Sequence, residues 1–291
     1  MSDSAKTSGK LEINYTGSRD YIVTEELKNV VNISIALQKP LLIKGEPGTG
    51  KTMLASSLAE ALGKELIIWS IKSTTTAQNG LYVYDTVQRL YDSQFGEGDI
   101  SDIRRYIKLG MLGQALSAEE QIVLLIDEID KADLEFPNDL LWELDRMQFF
   151  IPETRETITA KTRPIVIITS NAEKELPDAF LRRCIFHYIS FPEPEQMEKI
   201  VYAHYPDIDS ALLQMAMEKF YEIRKVDDIQ KKPSTSELLD WLTALSISGA
   251  SLDGGEKKAV PFLGVLLKKN EDIDTLEEFN EKGPKAVYKR R

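Results

Sequence analysis

The chain of 291 residues is 42% hydrophobic and 29% charged, the composition of a globular protein with room for one large or two modest domains. A single cysteine, Cys184, excludes an internal disulfide and any cysteine-cluster metal site, and two histidines, His187 and His204, are too few to favour a zinc centre. The net charge of −11 argues against a chain that coats nucleic acid, whose phosphates need a basic face.

The first residues, MSDSAKTSGK, are polar and hold no secretory h-region, and no apolar run approaches the length of a membrane span, so a cytoplasmic location is expected. Residues 1–18 are small, polar and aperiodic, and read as a disordered tail. Thr24 followed by Glu25 and Glu26 marks a helix start. Leu27, Val30, Val31 and Ile35 give that helix an apolar face up to the Gln38-Lys39-Pro40 break.

Leu41, Leu42 and Ile43 then read as a buried strand running into Gly45, Glu46, Pro47, Gly48, Thr49, Gly50, Lys51, Thr52 and Met53. The spacing is that of a phosphate loop, G-x-x-x-x-G-K-[ST]. Glycines let successive backbone N–H groups turn toward phosphate oxygens, and the helix that follows aims its positive dipole end at the same charge. Leu54, Leu58 and Leu62 recur every four residues beyond it, Ala55 and Ala59 widen the stripe, and Gly63 is the expected stop. Lys51 is expected on the β and γ phosphates, with the Thr52 hydroxyl on magnesium.

Leu66 to Ile71 reads as a second strand, Lys72 to Gly80 as a polar connection, and residues 81–120 as mostly helical with an interruption at Gly96 to Asp99. Ile122 to Ile126 is a continuous apolar run suited to a strand buried on both faces of a parallel sheet. It ends in Asp127-Glu128, two carboxylates whose burial is costly unless a cation or substrate meets them. Met147 to Ala160 has the pattern of a hairpin turning at Pro152 to Arg155, and Pro164 to Ser170 that of another buried strand, ending in Asn171. Asp178 to Leu181 is helical, followed by Arg182 and Arg183.

The Phe191-Pro192-Glu193-Pro194 break is the expected domain boundary. Beyond it Ser234 and Glu237 form a capping box for a helix with Leu238, Leu239, Trp241, Leu242 and Leu245 on its face and Gly249 at its end. The stretch after Gly254 has helical pieces of weak period, and Lys285 to Arg291 form a basic tail. The expected organisation is a disordered tail (1–18), an α/β domain with a doubly wound parallel sheet (19–191), a small all-α domain (192–280) and a basic tail (281–291).

In that arrangement the special residues gather at strand carboxyl ends. Asp127 completes magnesium binding opposite Thr52, and Glu128, pointing the other way, accepts a proton from the water attacking the γ phosphate. Asn171, at an adjacent strand tip, orients that water or touches the γ phosphate. If subunits form a ring, Arg182 or Arg183 reaches the neighbour's γ phosphate.

GEPGTGKT, LLIDEIDKAD, PIVIITSN, LPDAFLRR and FPEPE, taken in succession, resemble the motifs of the AAA+ ATPases, and among them the MoxR branch, whose insertion before the Asn-bearing strand is similar to IPETRETI. The resemblance covers about residues 20–250. It implies a P-loop NTPase (AAA+) domain followed by a helical lid. It also implies an ATPase that uses ATP and Mg2+ in a homo-oligomeric, hexameric ring, and that remodels, matures or activates a protein partner in a chaperone-like way, often beside a protein with a von Willebrand factor A domain. Lys51 and Thr52 correspond to Walker A, Asp127 and Glu128 to Walker B, Asn171 to sensor 1, and Arg183, with Arg182 as second choice, to the arginine finger. Tyr21, Ile22 and Val23 correspond to the lining of the adenine pocket. One position departs from the pattern: where the second sensor is an arginine, this chain has Ser236, with Lys231 or Lys232 in the preceding turn as substitute. Two other classes share the nucleotide residues, a nucleic-acid-stimulated motor and a nucleotide-bound assembly scaffold. The acidic balance counts against the first, and the missing arginine mildly favours the second.

Overall fold

The computed structural model describes residues 15–96, 100–171, 173–250 and 260–282. The chain divides into two compact units bordering at Ile189 and Ser190. Most of the expected basic tail and of the expected disordered one lies outside the described residues, with one correction. Tyr15, placed by the sequence in the disordered tail, is fully buried, its hydroxyl 2.7 Å from that of Ser57 and its backbone N–H donating to Asn32 Oδ1 at 2.8 Å.

The first unit begins with α1 (Glu25–Leu37), started by Thr24, whose hydroxyl accepts the Leu27 N–H. β1 (Leu41–Gly45) leads through the glycine loop into α2 (Lys51–Leu62), which Gly63 ends in the left-handed conformation that a glycine adopts without strain. β2 (Leu66–Ser70), α3 (Ala77–Leu81), β3 (Tyr82–Tyr84), α4 (Thr86–Phe95), β4 (Ile107–Leu109) and α5 (Met111–Ser117) follow. β5 (Val123–Asp127), α6 (Phe136–Asp139), α7 (Leu141–Arg146), the hairpin β6 (Gln148–Ile151) and β7 (Glu156–Thr159), β8 (Ile165–Ser170), α8 (Asp178–Leu181) and β9 (Ile185–Ile189) complete it.

Five strands form one parallel sheet in the order β2-β5-β8-β1-β9. Successive side chains of its inner strands alternate between two cores, as the period of two requires. Leu42, Leu124, Ile126, Val166 and Ile168 face one core with Leu112, Leu144 and Phe149. Leu41, Ile43, Val123, Leu125, Ile165 and Ile167 face the other with α1, α2 and Tyr15. Apolar side chains are thus needed at every position, which is why these strands read as unbroken hydrophobic runs. This is the P-loop NTPase fold, with a doubly wound parallel sheet.

Two expectations about strands need correction. Residues 81–120 are helical over more than half of their described length, as expected, but Tyr82 to Tyr84 pair antiparallel with Ile107 to Leu109, a strand pair that was not expected. Both strands are only three residues long, too short to show a period, and the partner lies more than twenty residues away. β9 was not expected either; it forms by parallel pairing with β1.

The second unit holds α9 (Pro194–His204), α10 (Ser210–Arg224), α11 (Thr235–Ser248), α12 (Leu263–Leu266) and α13 (Asn270–Lys282) around its own core of Met197, Val201, Phe220, Leu238, Trp241 and Leu276. The Trp241 indole N–H is satisfied by the Pro261 carbonyl at 2.7 Å. At the start of α11, Glu237 accepts the Ser234 N–H at 2.9 Å, as the capping box requires, and Gly249 ends the helix.

Candidate functional site

The loop after β1 turns through Gly48 (φ +75°) and Gly50 (φ +83°), left-handed conformations that disfavour a side chain. At Gly50 a Cβ would also meet the Tyr21 ring at 3.1 Å, so Gly50 serves both the turn and the packing of Tyr21. No side chain caps the start of α2, leaving the helix end toward which the dipole draws an anion without a carboxylate or hydroxyl of its own.

Lys51, the first residue of α2, is only 6% exposed, and its ammonium donates to the carbonyls of Gly45 (2.9 Å) and Glu46 (2.8 Å). Burial holds its pKa below the ordinary lysine value, opposed by the negative charge of Asp127, Asp130, Glu128 and Glu46. The next residue, Thr52, donates its hydroxyl proton to Asp127 Oδ1 at 2.9 Å. Thus the loop helix and the end of β5, 75 residues apart, meet through two hard oxygen donors.

Asp127 Oδ1 also accepts from the Thr169 hydroxyl at 2.6 Å, and the Thr169 oxygen in turn accepts the Glu128 N–H at 2.8 Å. Glu128 itself has φ +58°, ψ +51°. That left-handed backbone costs a residue with a Cβ about 1–2 kcal/mol, strain of the kind that collects at functional sites. It turns the chain sharply, and the Glu128 carboxylate is held by the Asn171 side-chain amide at 2.9 Å on Oε1 and by an ion pair with Lys131 on Oε2. Just beyond, Asp130 is 3% exposed and accepts the backbone N–H groups of Asn171 (3.3 Å) and Glu173 (2.9 Å).

The structure therefore brings together Lys51, Thr52, Asp127, Glu128 and Asn171 at the adjacent tips of β1, β8 and β5. Tyr21 joins them against Gly50, its hydroxyl pKa raised by burial; Ile22 and Val23 follow it and are partly buried. The two arginines stand elsewhere. Arg183 is 40% exposed at its side chain and engages Asp145 Oδ2 (2.6 Å) and the Ala179 carbonyl (2.7 Å), and Arg182 is exposed. In the second unit, Asp272 is buried and accepts the N–H groups of Gln230 (2.8 Å) and Lys231 (3.1 Å), fixing the turn that carries Lys231 and Lys232. Arg224 lies 3.3 Å above the Phe191 ring.

Sequence reasoning missed Thr169, Asp130 and Lys131. Thr169 hides inside an apolar run, where a threonine reads as a strand former. Asp130 and Lys131 follow the acidic pair closely enough to pass for solvated turn residues. The one available signal was a third acidic residue three positions after Asp127.

Among the described residues no three His, Cys, Asp or Glu side chains converge on a metal position, and no helix is long and apolar enough to cross a membrane. Residues 40–184 match the sequence profile of the AAA domain (dynein-related subfamily). The chain is similar to a Lon protease of Mesomycoplasma hyopneumoniae (strain 232), 27% identical over 233 residues, which are 75% of this chain and 24% of that protein. It is similar also to the pachytene checkpoint protein 2 homolog of Canis lupus familiaris, 24% identical over 284 residues, 93% of this chain and 62% of the relative. A third relative is midasin of Giardia intestinalis, 26% identical over 209 residues, 68% of this chain and 4% of that protein. The chain thus spans less than two thirds of each relative's length.

Proposed function

We propose, from the AAA domain at residues 40–184, that the chain hydrolyses ATP and uses the energy to remodel a protein partner. The observation that carries this reading is the Thr52–Asp127 hydrogen bond at 2.9 Å, which sets a hydroxyl and a carboxylate beside the glycine loop. That donor set suits Mg2+, which takes one or two protein oxygens and completes its shell with phosphate oxygens and water. The chemistry such an ion would supply there is positive charge to offset that on the phosphate oxygens.

The chain's own residues account for the rest. The loop N–H groups and the start of α2 bind the phosphates, and Lys51 exchanges its carbonyl partners, Gly45 and Glu46, for phosphate oxygens. Thr52 and Asp127 would hold the ion, and Thr169 keeps the Asp127 carboxylate turned toward Thr52. Glu128 takes the proton of the attacking water at a carboxylate oxygen, which requires that oxygen to be released by Asn171 or Lys131. Asn171 is placed to orient the water or the γ phosphate as Glu128 acts. Tyr21, packed on the loop, lines the proposed adenine pocket together with Ile22 and Val23.

The finer reading is a MoxR-type AAA+ protein that works as a homo-oligomeric, hexameric ring with residues 192–280 as its lid. Arg183 is the residue proposed to reach a neighbouring subunit: its side chain is 40% exposed, and in doing so it would give up its Asp145 partner. The β6–β7 hairpin supports the remodelling. Phe149 stacks on Tyr82 with ring centroids 6.3 Å apart, the Tyr82 hydroxyl donates to Glu153 at 2.9 Å, and Arg104 pairs with Glu156. Tyr82 of β3 thus packs on the hairpin and bonds to it, and Arg104, just before β4, pairs with it at the surface, contacts through which movement would pass. A partner with a von Willebrand factor A domain fits this branch.

The deciding experiment is Glu128→Gln, which keeps the acceptor for Asn171 and removes the base. Binding of ATP is expected to persist while turnover falls by about 10²–10⁴, the usual contribution of a general base. Wild-type steady-state hydrolysis in this variant would end the assignment.

A further inference from the structure

The Asp130 carboxylate is 3% exposed, and both its oxygens are committed to backbone donors, Oδ1 to the Asn171 N–H at 3.3 Å and Oδ2 to the Glu173 N–H at 2.9 Å. A buried carboxylate is costly unless hydrogen bonds compensate it, and here two N–H groups converge on it from a different strand end. An asparagine in its place would offer one acceptor and aim its own N–H at the second donor. The position is thus specific for a carboxylate.

Its partners make the arrangement more than a structural tie. The paired residues of β5 and β8 end at Ile126 and Ile168, so the ladder stops three residues before Asn171. Beyond that point the two turns are joined by Asp130, by the Lys174 ammonium donating to the Ala132 carbonyl at 2.8 Å, and by the Asn171 amide on Glu128. Among the described residues, Asp130 is the side chain that accepts the backbone N–H of Asn171, the residue whose side chain reaches Glu128.

Resting on the roles proposed above for Glu128 and Asn171, we infer that Asp130 is a positioning residue for hydrolysis, setting through two backbone N–H groups where the Asn171 amide meets Glu128. In this role its carboxylate stays on the two backbone N–H groups and acts on neither substrate nor ion directly. Its effect belongs to kcat and passes through Asn171.

The test uses the full chain with Asp130→Ala, Asp130→Asn, Asn171→Ala and the double variant Asp130→Ala/Asn171→Ala. Asp130→Ala is expected to lower kcat roughly tenfold or more while KM for ATP stays within about threefold. Asp130→Asn, keeping one acceptor, recovers part of the loss. The double variant is expected to turn over as slowly as Asn171→Ala and no slower, because residues acting as a unit are not additive. Amide hydrogen exchange gives a readout independent of turnover: in Asp130→Ala the amides of Asn171 and Glu173 exchange at least about tenfold faster, with those of β1 unchanged. Losses that multiply in the double variant, or unchanged exchange at the two amides, overturn the inference. Normal kcat in Asp130→Ala beside an impaired Asn171→Ala overturns it while sparing the functional reading. Normal turnover in Asn171→Ala overturns both, and is the one result that reaches the reading of Asn171 itself.

Discussion

At the scale of single residues the candidate site is a chain of committed oxygens. Thr169 is its least conspicuous member, fully buried, donating to Asp127 and accepting from the Glu128 backbone. Thr169→Val keeps the shape and removes both bonds, leaving the Glu128 N–H without its partner at a backbone already strained. The expected cost is about 1–3 kcal/mol in chemical denaturation, the penalty for an unsatisfied buried donor. Half-maximal ATPase activity is expected at a higher Mg2+ concentration, because Asp127 loses the hydroxyl that aims it; an unchanged Mg2+ dependence would remove Thr169 from the site. The motif residues were legible because their chemistry fixes residue types at fixed spacing. Thr169 and Asp130 were less so: beyond the third acidic residue that follows the pair, a hydroxyl or carboxylate used from afar looks the same in sequence as one that faces water.

At the scale of elements, exposure separates the pieces that fold the molecule from those that do not. α4 buries none of its side chains, and Val87 (80% exposed) and Phe95 (71%) both stand in solvent. Phe95→Glu is therefore expected to change stability by no more than about 0.5 kcal/mol. Phe149, on β6, is 1% exposed and packed in the core against Tyr82. Phe149→Ala is expected to cost about 3–5 kcal/mol, the range for emptying an aromatic site. Urea denaturation of the two variants checks both, and comparable losses would contradict the burial described. The inner strands and α2 were readable because burial on both faces of a strand, or on one face of a helix, leaves a continuous or periodic apolar pattern. β3 and β4 are too short for a period, and they exist because each supplies the other's hydrogen bonds.

At the scale of the whole molecule, the order β2-β5-β8-β1-β9 sets the tips of β5, β8 and β1 side by side. The proposed ring would complete this site with Arg183 from a neighbouring chain. Arg183→Ala is expected to abolish hydrolysis with ATP affinity held within a few fold, and mixing it with Lys51→Ala subunits to restore part of the activity, since finger and phosphate loop then come from different chains. An arginine finger is worth about 10³–10⁵ in rate, so even a small fraction of mixed interfaces is measurable; no recovery at any ratio would argue against action between subunits. The sequence by itself determined the glycine loop, the acidic pair, Asn171 and the alternating α/β pattern, because each follows from local residue types and spacing. Only the tertiary structure decided that Thr52 meets Asp127, that Thr169 and Asp130 serve Asp127 and Asn171, and that Ile185–Ile189 is a strand. The physical reason is that parallel strands pair with partners distant along the chain, through backbone hydrogen bonds that every residue can make, so their order leaves no local trace.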